Sequence, residues 1–362
     1  MYSFKNDYSE LCHPKLLDSL IKNNTLQHTG YGLDEYSIKA ATAIESLLNK
    51  KADIHFLAGG TQTNMVLISS VLKKYEAIIA CDTAHICVHE TGAIESRGNK
   101  IITAKNVDGK LTPSSIISIM KTHVDEHMVK PKLVFISQTT ELGTIYSKGE
   151  LQKLREICDQ YNLYLYIDGA RLGSALTSLY TTTTLEDIAI YADAFYIGGT
   201  KNGSLLGEAL VLINNDFKQN FRFFIKQNGG MLAKGSLLGI MFLGLFKEHT
   251  SSQKTSQLTN QGYLLAQKNL FYELASIANN HAHKISTTLI NQGFKFRATP
   301  QSNQLFPILP NELIKKLEEN FQFYTTEKID KNNSVIRIVT SWFTDASEVK
   351  KLINMITQFP FK

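Results

Sequence analysis

The feature that most constrains this chain is a pair of short apolar runs, each stopped by a glycine turn that bears a charged side chain. Leu-Tyr-Leu-Tyr-Ile at 163–167 runs into Asp168-Gly-Ala-Arg171, and Ala-Phe-Tyr-Ile at 194–197 runs into Gly-Gly-Thr200-Lys201-Asn202-Gly203. Apolar runs of this length, closed by glycine, read as buried strands. Similar runs occupy 76–80, 132–137 and 208–213, while helical periodicity suits 36–49, 61–74 and 149–161. Strands alternating with helices predict an α/β protein whose mostly parallel sheet carries helices on both faces. The turns that leave such strands collect at the carboxyl edge of the sheet, where open α/β sheets bind their ligands.

At 362 residues the chain exceeds one typical domain. We expect a large domain over 1–250, including an N-terminal segment, and a smaller C-terminal α/β domain over 251–362. The apolar, glycine-rich stretch 229–246 predicts a buried helix after a glycine turn. Polar residues at 247–261 follow, then a long helical pattern to about 292, a strand at Val335–Val339 and a helix over 345–358. The first 35 residues look irregular and are expected to wrap over another element or subunit. Net charge is only +5, with basic residues scattered, so nucleic-acid binding has no compositional support. No apolar run is long enough for a membrane span, and the N-terminus lacks a signal-peptide core. Cys12, Cys81, Cys87 and Cys158 fit no disulfide framework, which favours a reducing cytoplasm.

A lysine and an aspartate at two strand ends are what a pyridoxal phosphate (PLP) site requires: an amine for the cofactor's aldehyde and a carboxylate for its pyridinium nitrogen. Lys201 becomes nucleophilic only if burial or a nearby cation loosens its proton; a surface lysine in a loop is the plain alternative. Asp168 closes a strand too apolar to carry an unpaired charge. Its alternatives are a helix N-cap or an ion pair with Arg171 alone. Ala58-Gly59-Gly60-Thr61-Gln62 opens the helix of 61–74 and offers unpaired N–H groups and a favourable dipole to a phosphate, although an ordinary cap reads the same way. Thr200 could add a hydroxyl. Neither GxGxxG nor GxxxxGK[ST] occurs.

His85 and His89 share a helical face, as a metal pair would, but no third ligand is evident. A ring stacked on a cofactor suits His85 better, and no metal is expected. His123-Val-Asp-Glu126-His127 formally matches an inverted zinc motif in a polar, solvated stretch, and keeps a zinc hydrolase as a remote alternative. Arg337, inside the apolar run Val335–Val339, needs a carboxylate, from a substrate or from a structural ion pair.

In their order these motifs resemble the low-specificity L-threonine aldolase family of the β-eliminating lyase group, over nearly the whole chain. Phe4-Lys-Asn-Asp7 through His13-Pro14 is similar to the family's opening segment, and Tyr31-Gly-Leu-Asp34 to its Tyr-Gly-Asp turn. Gly59-Gly60-Thr61 corresponds to the phosphate turn, and Ala84-His85 with Glu90-Thr-Gly92 to the segment of the ring-stacking histidine. Asp168-Gly-Ala-Arg171 matches unchanged, and Lys201 and Arg337 fall at the cofactor lysine and the carboxylate-binding arginine. The resemblance implies the fold-type I PLP architecture and cleavage of the Cα–Cβ bond of threonine, allo-threonine or a related β-hydroxy amino acid to glycine and an aldehyde. Another PLP lyase reaction, β-elimination from a small amino acid, is the alternative within that chemistry, and a catalytically idle binding protein lies outside it.

The resemblance further implies a homodimer or homotetramer with shared active sites. Asn6, Arg171, Arg337 and Lys226 would then face the substrate, with Lys226 and Lys234 available to a neighbouring chain. The chain departs from the family where it reads Gln138-Thr-Thr-Glu141-Leu-Gly143 in place of Glu-Asn-Thr-His-Asn-Gly. The base for a β-hydroxyl is therefore left among Glu141, a histidine and a water. Asn6 stands where the family has serine, and Asn202 breaks its Ser-Lys-Gly turn.

Overall fold

The computed structural model describes residues 1–247 and 269–360. A seven-stranded sheet runs in the order Asp53–Leu57, Glu208–Leu212, Ala194–Gly198, Tyr164–Asp168, Lys130–Ser137, Glu76–Cys81, Lys100–Ala104. All strands are parallel except Glu208–Leu212, which is antiparallel to both neighbours. Glu76–Cys81, Ala194–Gly198 and Glu208–Leu212 are buried at every position, which requires cover on both faces of the sheet. The reversed strand has a consequence for the site. Its first residue, Glu208, pairs with Leu57 and Gly198 and so lies at the edge where the parallel strands end.

A second, antiparallel sheet joins Gln304–Leu305, Asn333–Val339, Pro307–Pro310 and Lys295–Phe296, with Tyr324–Lys328 on the other side of Asn333–Val339. With the helices Asn311–Glu318 and Ala346–Thr357 it encloses its own core, including Leu309, Leu313, Ile336, Ile338 and Leu352. The helix Leu270–Asn291 links the two cores. Leu270, Phe271 and Leu274 pack into the first, and Ala282, Ile285 and Leu289 into the second.

The N-terminus is more ordered than its sequence indicates. Tyr2–Ser3 pairs in parallel with Phe321–Gln322, and Phe4 is fully buried in the second core. Pro14–Asn23 is a helix with proline in its first turn and His13 as its N-cap. Its amphipathic pattern is easy to overlook because only Leu16 is buried. Two further strands, Asp53–Leu57 and Lys100–Ala104, carry polar or charged residues and form the edges of the sheet. The helix expected over 229–246 is confined to Ser236–Phe246. The boundary expected near 250, and the polar stretch from 248 to 261, lie outside the described residues.

Candidate active site

Asp168 and Lys201 both leave the sheet at its carboxyl edge, on turns packed in contact. A Cβ at Gly169 would lie 1.8 Å from the Tyr196 carbonyl oxygen, and one at Gly198 would lie 2.3 Å from that of Ala170. Glycine at both positions is therefore a packing requirement. Asp168 is 3% exposed, and its carboxylate is held by three donors. The Tyr196 hydroxyl and the Ala170 N–H donate to Oδ1 at 2.5 and 3.0 Å, and Asn64 Nδ2 donates to Oδ2 at 3.1 Å.

Burial, then the charge of Arg171, pushes the Lys201 amine below its ordinary range, the direction a nucleophilic lysine needs. The carboxylates of Asp7, Asp168 and Glu208 oppose that shift. Glu208, which motif reading overlooks, is 5% exposed, and its Oε2 accepts the Gly199 N–H at 3.1 Å. Burial raises its carboxyl to about 8, against the lowering charge of Lys201. The lysine turn is tied from both sides. The Thr200 hydroxyl accepts the Gly207 N–H at 2.9 Å, and Asn202 Nδ2 donates to the Phe271 carbonyl at 2.8 Å. Thr200 Oγ1 thus has a role in closing the turn besides the phosphate contact expected of it. The asparagine in place of the family's glycine anchors the turn to the long helix.

The helix Gly60–Val71 starts at Gly59 with no side-chain cap, and nothing lies within 4 Å of where a Gly59 Cβ would stand. Uncapped N–H groups at the start of a twelve-residue helix, with Thr61 exposed among them, suit a phosphate. His85 opens a short helix, His85–Val88, and its backbone N–H donates to Glu141 Oε1 at 2.9 Å. The same oxygen accepts the Ser137 hydroxyl at 2.6 Å. Burial raises the Glu141 carboxyl, the Ser137 bond opposes this, and the charge of Asp168 adds to the rise. The histidine ring is bonded through Nδ1 to Glu90 Oε1 at 2.8 Å. Against the lowering effect of burial, that bond and the charge of Asp168 raise its pKa. The ligand atoms of His85, Glu90 and Asp168 lie within 4.8 Å of one another, a spacing that these hydrogen bonds already explain.

Arg171 differs most from its expected role. It makes a bidentate pair with Asp7, Nε to Oδ2 at 2.7 Å and Nη2 to Oδ1 at 3.0 Å, so one edge of its fork is committed within the chain. Asn303 Nδ2 also donates to Asp7 at 2.9 Å. Asn6 Oδ1 accepts from the Tyr8 N–H and the Ser9 hydroxyl, and so shapes the turn that delivers Asp7. Arg337 donates through Nη2 to Gln304 Oε1 at 2.8 Å, and Gln304 reaches the Thr140 carbonyl at 3.4 Å. Burial and the neighbouring Arg171 charge lower the pKa of Arg337. The Asp7 carboxylate acts on both guanidiniums, and two such cations leave room for a second anion. Lys226 is not brought into this group. It is exposed, with Nζ 4.8 Å from the Tyr31 ring. His123 Nδ1 is bonded to the Ile119 carbonyl, and His123 and His127 meet no third ligand among the described residues.

The residues fit PLP on three observations: an amine with a loosened proton, a buried carboxylate held by three donors, and an uncapped helix start beside them. The comparisons agree. The profile of the β-eliminating lyase family matches residues 15–289. A low specificity L-threonine aldolase of Pseudomonas sp. is 28% identical over 351 residues, covering 96% of this chain and 94% of that protein. One from Pseudomonas aeruginosa is 27% identical over 358 residues with the same coverage. The solved structure of a Leishmania major threonine aldolase superposes with a TM-score of 0.92 at 44% identity, covering 99% of each chain. Sequence and three-dimensional likeness extend along the same nearly complete length, and the chain belongs to the β-eliminating lyase family, alongside the threonine aldolases it resembles.

Proposed function

We propose that this protein is a PLP-dependent aldolase that cleaves the Cα–Cβ bond of threonine, allo-threonine or a related β-hydroxy amino acid. The observation that carries the reading is the meeting of Lys201 and Asp168 at one sheet edge, the amine's proton loosened and the carboxylate held by three donors. Lys201 would hold the cofactor's aldehyde, Asp168 its ring nitrogen, Gly59, Gly60 and Thr61 its phosphate, and His85 would lie against its ring. The cofactor, when bound, supplies an acceptor for the electron pair left on Cα.

Every other part falls to side chains of the protein. Arg337, with the free donors of Arg171, takes the substrate's carboxylate and fixes which bond at Cα is poised to break. A group near the β-hydroxyl takes its proton, the oxygen becomes a carbonyl, and the aldehyde leaves as Cα–Cβ breaks. Glu141 Oε1 is already occupied, accepting the Ser137 hydroxyl and the His85 N–H. His85, aligned by Glu90, is the better acceptor.

Exposed apolar side chains on the first helices and beyond, among them Ile21, Leu33, Ile38 and Phe223, support a homodimer or homotetramer. In such an assembly Lys226 and Lys234 are free to serve a neighbouring active site. The four cysteines are unpaired, which supports a cytoplasmic setting. No helix of the described residues is long and apolar enough to cross a membrane.

Loading the purified chain with PLP and reducing it with borohydride tests the lysine. The label should map to Lys201, and a label elsewhere would refute the assignment. Aldehyde released from threonine, allo-threonine or phenylserine supports the aldolase. Pyruvate and ammonia from serine, with no aldehyde from the others, would replace it with β-elimination.

A further inference from the structure

Glu90 is among the most deeply buried acidic residues of the site, its side chain fully enclosed, and the reaction outlined above gives it no contact with substrate. Its Oε1 receives two bonds, from His85 Nδ1 at 2.8 Å and from Asn64 Nδ2 at 2.8 Å, while Oε2 has no partner. Asn64, also fully buried, divides its amide between two carboxylates, because the same Nδ2 donates to Asp168 at 3.1 Å. The Tyr166 hydroxyl donates to Asn64 Oδ1 at 2.8 Å, which fixes the orientation of the amide. One continuous chain of bonds therefore runs from Tyr196 through Asp168, Asn64 and Glu90 to the imidazole.

We propose that Glu90, locked by Asn64, is a positioning residue that fixes the His85 ring through Nδ1 and leaves Nε2 as the atom that exchanges the substrate's proton. Oε1 already accepts the Asn64 N–H, so the bond from Nδ1 is N–H to this same acceptor oxygen and the neutral ring carries its lone pair on Nε2. Nε2 has no hydrogen bond among the described residues. A buried carboxylate behind an imidazole both aligns the ring and stabilises the imidazolium that forms when the far nitrogen takes a proton. The proton balance closes: Nε2 takes the hydroxyl proton as the aldehyde forms and can return it to the carbon of the departing glycine. The groups that bear on this ring are Glu90 and Asp168, which favour its cation, and Lys201, which opposes it. The His89 ring lies 5.5 Å away, and Glu141 is bonded to the His85 main chain.

This inference rests on His85 lying beside the substrate, but its test does not depend on turnover. Deuterium exchange at imidazole C2, read peptide by peptide with His85 separated from His89 by fragmentation, gives the His85 titration in the full-length protein. Wild type should titrate above about 6.5. Glu90→Gln should lower it by about one unit or more, and Glu90→Asp should restore most of the shift. The acid limb of kcat/KM for threonine should move in parallel. A wild-type value at or below about 6.5, which needs no variant to fold, or an unchanged titration in Glu90→Gln, would overturn the proposal. Aldehyde release tests the reaction and this titration tests the dyad, so either can fail alone.

Discussion

Replacing Asp7 with asparagine keeps the shape of the side chain and removes its charge from beneath Arg171. In the native chain the Arg171 side chain is 12% exposed and that of Asp7 1%, and two charge-assisted hydrogen bonds join them. Asparagine retains one acceptor but leaves the guanidinium buried without a counter-charge, with Arg337 as a second cation nearby. Breaking a buried pair in this way costs about 3–5 kcal/mol, and the retained acceptor places Asp7→Asn at the lower end, about 3 kcal/mol. Burial alone would raise the Asp7 carboxyl, but the Arg171 guanidinium outweighs it and holds the group below the usual carboxylate range. A depressed acid contributes stability that is fully present above its unfolded value, about 3.9, and is lost as pH falls through the folded value. The gap between wild type and variant should therefore be full at neutral pH and close in acid, below the unfolded value. Urea titrations followed by the fluorescence of Trp342, the chain's single tryptophan, would measure it. A gap under about 1 kcal/mol at neutral pH, or one that persists unchanged in acid, would mean that the Asp7 charge does not stabilise buried Arg171.

Two other substitutions probe the neighbouring charges. Arg337→Lys keeps the charge but loses the planar fork, and should raise the KM for threonine about 10- to 100-fold, the equivalent of one lost charged hydrogen bond; a KM within about twofold of wild type would remove Arg337 as the carboxylate's partner. Glu208→Gln removes a group whose charge favours the charged form of Lys201, so the pH at which Lys201 is acylated in the cofactor-free chain should fall. Peptide mapping after brief acylation measures this, and an unchanged profile would show that the two groups are uncoupled.

The central sheet was largely legible because its inner strands are buried on both faces and read as plain apolar runs. Its two edge strands were not, because Asp53–Leu57 and Lys100–Ala104 carry polar residues that only an edge tolerates. Of the site, the residues on glycine turns, Asp168, Lys201 and Gly59, announced themselves through local pattern. Glu208 did not: it reads as an ordinary strand start, and only the antiparallel course of its strand brings it beside Lys201. The Asp7–Arg171 pair was hidden for a different reason. It depends on Tyr2–Ser3 pairing with Phe321–Gln322 and on Asn303 bonding to Asp7, contacts across nearly the full chain that local periodicity does not encode. Glu90 lay within a quoted motif and Asn64 two residues beyond another, yet their bridging of His85 to Asp168 is a fact of three dimensions.

The products formed from L-threonine by the PLP-loaded protein distinguish an aldolase from an eliminating lyase. The aldolase account predicts glycine and acetaldehyde in equal amounts, with formation abolished in Lys201→Ala. Formation of 2-oxobutanoate and ammonia in their place, or equal turnover by Lys201→Ala, would contradict it.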